Sequence, residues 1–332
     1  MRSVKVTVPL LVLWLSATTC HAETTLTLVS SWNREQNFTK LFMEYIDAVN
    51  AAGKGIIQID YRGGPEVIPQ RQLFYALRRG VIDLAFGGTT YYRGMLPEGD
   101  AIFASTITPM EARANGALDA LQPYWKQRIN ARLIGWMQSG IGANIYLTEA
   151  PRFAADGNPD LSGLKIRTSP TNVELLKRLG ARTVQIPVKE IYTALQRGTV
   201  DGLAFTTIGV PDLGVERFIH YRIDPPMLQL AICLQINLDS WNALAPEAQR
   251  ILEEQAALYE RRSREVLFAL QDRELKFLDE QGLQAINVAD GDAYRALGHE
   301  VAWDRLAERA PESARTLKPL FYPQRSKTLE GR

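Results

Sequence analysis

The stretch GLKIRTSPTNVELLKRLGARTVQIPVKEIYTALQRGTVDGLAF, Gly163 to Phe205, decides the fold. Its apolar spacing predicts strand, helix, strand, helix, strand. Leu164 and Ile166 belong to a short strand ending at Arg167. Ser169 stands where a helix cap is expected, and Pro170 takes the first helical position, where its missing N–H costs nothing. Val173, Leu176 and Leu179 recur at helical spacing, and Gly180 supplies a left-handed stop. Arg167 therefore sits where the carboxyl end of a strand meets a helix N-terminus. Open α/β sheets bind ligands at such ends, and helix N-termini attract anions. A guanidinium there adds a two-pronged fork that matches a carboxylate. A surface or interlobe salt bridge is the competing reading of the same arginine.

The second half of this stretch has a counterpart earlier in the chain. RQLFYALRRGVIDLAF, Arg71 to Phe86, matches KEIYTALQRGTVDGLAF, Lys189 to Phe205, at an offset of 118 residues. Ala76, Leu77, Arg79, Gly80 and Asp83 recur as Ala194, Leu195, Arg197, Gly198 and Asp201. Leu73 and Phe74 recur as Ile191 and Tyr192, and Gly202 reads as one extra residue. Each copy predicts a helix stopped by glycine and then a short apolar strand. A unit present twice predicts two similar α/β lobes, each ending a strand near a shared crevice. At 332 residues the chain exceeds a typical single core, which agrees with that division.

The order KIR and then PVKEIYTALQRGTVDG resembles the core of the solute-binding subunits of tripartite ATP-independent periplasmic (TRAP) transporters, the DctP-type family. SWNALAPEAQRILEEQA, Ser240 to Ala256, resembles that family's later strand-to-helix junction. The resemblance covers nearly the whole chain after its N-terminal leader. It implies an α/β, two-lobed periplasmic solute-binding protein fold with a hinge and a long interlobe helix. The implied lobes are residues 23–142 plus 231–272 for lobe I and 143–230 plus 273–332 for lobe II. The implied task is capture of a small organic acid and its delivery to the TRAP membrane permease subunits, with no catalysis and no cofactor. A monomer is expected.

Arg167 is the expected holder of the ligand carboxylate. Many family members carry an arginine on the strand after the segment matched here by Ser139-Gly140-Ile141-Gly142; the nearest match is Asn144. The family also often has a polar residue a few places after VDG, where this chain has Phe205. Both departures argue against a doubly charged or highly polar ligand. Ser31 and Trp32 follow the first predicted strand, Leu26 to Val29, and can reach the crevice from there; a core position is the competing reading of Trp32. Phe86-Gly87-Gly88-Thr89-Thr90-Tyr91-Tyr92 ends the first repeat copy. Its glycines permit close backbone approach, while Thr89, Thr90 and Tyr91 offer donors, so it reads as a ligand loop or as a plain surface turn. One fixed cation beside aromatic walls points to a monocarboxylate with an apolar or aromatic portion.

The N-terminus reads as a signal peptide over residues 1–22. Arg2 and Lys5 start it, Val6 to Leu15 is a short apolar run, and Cys20-His21-Ala22 places small residues before a cut. The run is too short to span a bilayer, and Thr18-Thr19 makes a poor lipobox for the rival cut at Cys20. Periplasmic export follows. That cut leaves Cys233 as the one cysteine, expected buried as a small hydrophobe. A formal charge of +1 gives no electrostatic case for nucleic acid or anionic membrane as partner.

A secreted hydrolase is the rival class. Beyond the leader only His220 and His299 are available as imidazoles, neither in a recognisable motif, and no GxSxG, HExxH or phosphate-loop pattern occurs. The histidines and the cysteine have no metal-ligand spacing. A ligand-presenting sensor protein is the third reading. Downstream, Leu228 to Leu238 alternates as one clean strand, and Pro246 opens a helix running to about Glu280 that would brace both lobes.

Overall fold

The computed structural model describes residues 23–323; the expected signal peptide lies outside them. In chain order the elements of the first part are β1 (Thr24–Ser30), α1 (Asn37–Ala52), β2 (Ile57–Gly63), α2 (Leu73–Arg78), β3 (Leu84–Gly88), α3 (Gly99–Phe103), α4 (Pro109–Ala114), α5 (Ala117–Ile129) and β4 (Ala131–Gln138). The second part holds β5 (Ala143–Leu147), β6 (Arg152–Phe153), β7 (Pro159–Asp160), β8 (Lys165–Arg167), α6 (Val173–Arg178), β9 (Arg182–Val184), α7 (Ile191–Gln196), β10 (Gly202–Thr206) and β11 (Tyr221–Met227). The remainder is β12 (Ile232–Asn237), α8 (Leu238–Ala243), α9 (Pro246–Glu280), β13 (Gln284–Asn287), α10 (Gly291–Arg309) and α11 (Pro311–Phe321).

Two sheets carry the molecule, in the orders β2-β1-β3-β12-β4 and β13-β11-β5-β10-β8-β9. Setting aside the edge strand β13, the second order repeats the first with β9, β8, β10, β5 and β11 in the corresponding places. In each sheet the first three strands of that series are parallel and the fourth runs antiparallel to the third. Parallel strands need helical crossovers that cover both faces, and α1 and α2 in the first lobe are matched by α6 and α7 in the second. The chain passes between the sheets from β4 to β5 and returns from β11 to β12.

The internal repeat is reproduced bond for bond. Gly80 and Gly198 both stop their helices in the left-handed region, at φ 69° and 62°. Val81 N–H donates to the Ala76 carbonyl at 3.0 Å, and Thr199 N–H donates to Ala194 at 2.9 Å. The repeated aspartate then ties each unit to the preceding parallel strand: Asp83 accepts from Thr27 N–H at 2.8 Å, and Asp201 accepts from Lys165 N–H at 2.7 Å. The next residues pair as Leu84 with Leu28 and Gly202 with Ile166. Gly202 is therefore no insertion, contrary to the reading of the aligned letters. It occupies the place of Leu84, and it is glycine because a Cβ there would run into the Tyr146 carbonyl oxygen.

The brace runs over the expected residues. In α9, Pro246 takes the first helical turn, and two buried glutamates lie about four turns apart on one face. Glu260 accepts from Arg113 Nε at 2.6 Å, Arg113 Nη2 at 2.9 Å and Trp136 N–H at 2.9 Å in the first lobe. Glu274 accepts from Gly209 N–H at 2.6 Å in the second. Burial raises the pKa of both carboxyls, and these donors oppose it. Cys233 is fully buried, and burial holds its thiol well above the ordinary value.

Two expectations are corrected. The alternation from Leu228 to Leu238 yields strand only over Ile232–Asn237. Leu228 adopts φ 57°, which no strand accommodates. Gln229 is held by the carbonyls of Ser105 and Ile107 and accepts from Gly140 N–H. These residues form the return crossing, where burial against both lobes produces an apolar pattern without a ladder. The tail after residue 273 is not wholly part of the second lobe. Tyr294 packs beneath the second sheet, but Trp303, Leu306, Leu317 and Phe321 are buried in the first lobe's core. The Trp303 indole donates to the Ala104 carbonyl at 3.1 Å, and Ser313 Oγ donates to Glu98 at 2.9 Å. With 19 residues, α10 is long enough to cross from one lobe to the other.

Candidate functional site

Arg167 ends β8 with its side chain on the face shared by Leu203, its register partner in β10, and by Phe205 two residues on. It is 5% exposed. Its Nε and Nη2 donate to the Ile186 carbonyl at 3.0 and 2.9 Å, which fixes the direction of the guanidinium. Its Cζ lies 5.7 Å from the centre of the Phe205 ring. Among the described residues it forms no ion pair. Burial lowers its pKa from 12.5 to about 10, opposed only by the nearby Tyr91 hydroxyl. A depression of that size corresponds to roughly 3 kcal/mol of lost hydration, which an incoming anion would offset.

Tyr91 reaches this arginine from the other lobe. Its ring meets Trp32 edge-on at 5.7 Å, and Trp32 in turn contacts Phe38 at 5.1 Å and Phe86 at 5.9 Å. Burial raises the Tyr91 pKa, while hydrogen bonds with Trp32 and Gln70 and the charge of Arg167 pull it down. Gln70 also donates to the Ser31 carbonyl at 2.9 Å, closing the loop behind the ring. Trp32, Tyr91 and Phe205 are each half-buried.

The structure brings Arg167, Phe205, Tyr91 and Trp32 to one crevice, with Thr90 half-buried beside Tyr91. Ser31 and Thr89 lie deeper. Both are buried, and neither hydroxyl has a partner among the described residues. The Asn144 amide is bonded internally. Its Nδ2 donates to the Ile223 carbonyl at 2.8 Å and to Asp224 Oδ1 at 2.7 Å, and its Oδ1 accepts from Thr207 Oγ1 at 3.1 Å. Asp224 is at the same time gripped by Arg222, through Nε at 3.0 Å and Nη2 at 2.9 Å.

Among the described residues no group of histidine, cysteine, aspartate and glutamate could hold a metal ion, and no helix is long and apolar enough to cross a membrane.

Two α/β lobes, two strand crossings, a bracing helix and a buried arginine that has no ion pair among the described residues make up this arrangement. The family model of bacterial extracellular solute-binding proteins, family 7, matches residues 157–302. That model is the DctP family's. It is 26% identical over 257 residues to a 2,3-diketo-L-gulonate-binding periplasmic protein of Escherichia coli, covering 73% of this chain and 74% of that one. It is 25% identical over 245 residues to a monocarboxylate 2-oxoacid-binding periplasmic protein of a Nostoc species, covering 67% and 64%. The fold matches that of a TRAP periplasmic solute-binding protein from Ochrobactrum anthropi with a TM-score of 0.77 at 19% identity, over 90% of this chain and 95% of the other.

Proposed function

We propose that this chain is the periplasmic solute-binding subunit of a TRAP transporter, which captures a small organic acid between its lobes and hands it to the membrane permease subunits as a monomer. The observation that carries the reading is Arg167, a buried and uncompensated cation at the crevice end of a strand. The named ligands of the two periplasmic relatives, both acids, support it. A guanidinium oriented by a backbone carbonyl presents its remaining N–H groups to a carboxylate in a fixed direction. Ile186 does for Arg167 what a second ligand group would otherwise have to do. The arrangement binds and orients, and the matched family model is one of bacterial extracellular solute-binding proteins.

The first test is calorimetric titration with a panel of 2-oxo monocarboxylates, sugar acids and dicarboxylates. Removing one side of a desolvated ion pair costs ~3–5 kcal/mol, so Arg167→Ala should weaken the best ligand several hundredfold. Arg167→Lys should restore little of it, because the fork is lost. An Arg167→Ala protein that binds as tightly as the parent removes the proposal. A second test follows the lobes. Tyr91 and Arg167 come from opposite lobes, so ligand should bias the molecule toward a closed form. Small-angle scattering should show a smaller radius of gyration at saturating ligand, and an unchanged one argues against hinge closure.

A further inference from the structure

We infer that the crevice selects an acid with one carboxylate and a flat, apolar body, and discriminates against dicarboxylates and sugar acids; the inference rests on Arg167 being the carboxylate holder. Three observations carry it. The first is the charge on the crevice wall. Arg222 is the other arginine at the crevice end of this sheet, and Asp224 already neutralises it at 2.9 Å, with Asn144 bound to the same carboxylate. A second acid group on the ligand would meet a completed ion pair instead of a free cation.

The second observation is the supply of hydrogen bonds. Along β5 and β10 three polar side chains facing this region are occupied: Asn144 as described, Thr207 just past β10 with the Gly142 carbonyl at 3.1 Å, and Thr206 with the Ile208 carbonyl at 2.8 Å. In the first lobe, the Ser31 and Thr89 hydroxyls are buried away from solvent. A polyhydroxylated acid would surrender its hydration here and recover few bonds, and unmatched buried hydroxyls are what make such binding unfavourable. The third is the surface that is offered. In one lobe the Phe205 ring lies 5.7 Å from the guanidinium carbon, and in the other Tyr91, close enough to feel its charge, meets Trp32 edge-on. Rings so placed suit a planar apolar ligand.

The experiment is a competition series by calorimetry on the purified protein, using phenylpyruvate and 4-methyl-2-oxopentanoate against D-glucuronate and succinate. The two apolar acids should bind at least about 30-fold more tightly than the other two. Phe205→Asn should narrow that ratio about tenfold by supplying an amide, while Phe205→Leu should keep it. Melting curves of both variants check that they fold. Tighter binding of D-glucuronate or succinate that still depends on Arg167 overturns the ligand class and leaves the acid-binding function standing. A ratio untouched by Phe205→Asn also overturns it. Absence of binding by any of these acids, or binding indifferent to Arg167→Ala, overturns the carboxylate reading and this inference together.

Discussion

The unit β1-α2-β3 in the first lobe and the unit β8-α7-β10 in the second superimpose through their aspartates, and the two differ most at two positions on one face. With Thr27 matched to Lys165, Val29 corresponds to Arg167 and Gly87 to Phe205. Val29 is fully buried in the first core, and Ser31 and Phe74 fill the space a side chain at Gly87 would need. The second lobe puts a cation and an aromatic ring in those same places, and they touch each other. The backbone is common to both lobes; the chemistry sits in side chains grafted onto one copy.

The match also reverses the apparent equivalence of two phenylalanines. Aligned as letters, LAF at Leu84 to Phe86 matches LAF at Leu203 to Phe205. Aligned by hydrogen bonds, Phe86 corresponds to Ala204, one residue away and hence on the opposite face of the strand. Phe86 is fully buried and stacks on Phe42 at 3.8 Å, whereas Phe205 is half-buried at the crevice. The largest expected effect follows. Phe86→Ala should cost ~3–5 kcal/mol of stability as a core cavity, and Phe205→Ala about 1 kcal/mol or less with a loss of ligand affinity. Denaturant unfolding of the unliganded protein, with ligand titration alongside, measures both. A mild Phe86→Ala beside a severe Phe205→Ala would mean that the letters, not the bonds, give the true correspondence.

That pair shows where sequence reasoning reached and where it stopped. The repeat, the two-lobed division, the long helix and the place of Arg167 at a strand end were legible because each rests on local periodicity or on a glycine and proline at a fixed place. Gly180 and Gly198 are left-handed as expected, at φ 89° and 62°. The register of β10 was not legible, since it depends on which neighbour Asp201 bonds, a contact 36 residues away in the chain. The bonds of Asn144 were not legible for the same reason, because its partners Ile223, Asp224 and Thr207 come from other strands and loops. Leu228 to Ala231 looked like strand because burial between two lobes and burial within a sheet leave the same apolar pattern.

The aspartates sharpen the comparison at a smaller scale. Asp83 accepts from Thr27 N–H, from Thr27 Oγ1 at 2.8 Å and from Ser240 Oγ at 2.7 Å, while among the described residues the Asp201 side chain accepts only from Lys165 N–H. Hydrogen bonds to a carboxylate contribute ~1.5–3 kcal/mol when partly buried, and they are not additive on one group. Asp83→Ala should therefore destabilise by about 3 kcal/mol and Asp201→Ala by about half of that. Equal losses would show that the shared backbone bond dominates and that the added hydroxyls on Asp83 contribute little.

The smallest effect tests whether the two turns are as alike as their bonds suggest. Gly80 and Gly198 hold φ 69° and 62°, a region where a Cβ crowds the following carbonyl at about 1 kcal/mol. The surroundings add nothing to distinguish them. A Cβ on Gly80 would meet Asn237 Nδ2 at 3.7 Å, an ordinary contact, and a Cβ on Gly198 would meet nothing within 4 Å. Gly80→Ala and Gly198→Ala should thus destabilise by the same amount, about 1 kcal/mol each, reduced slightly by the lower entropy of the unfolded chain. The pair also provides a control for Gly202, where the Tyr146 carbonyl oxygen leaves no room and alanine should cost several times as much. Denaturation midpoints of the three variants read this directly. A Gly202→Ala protein as stable as the two turn variants would mean that β10 can shift along β5, and the register that separates Phe205 from Phe86 would no longer hold.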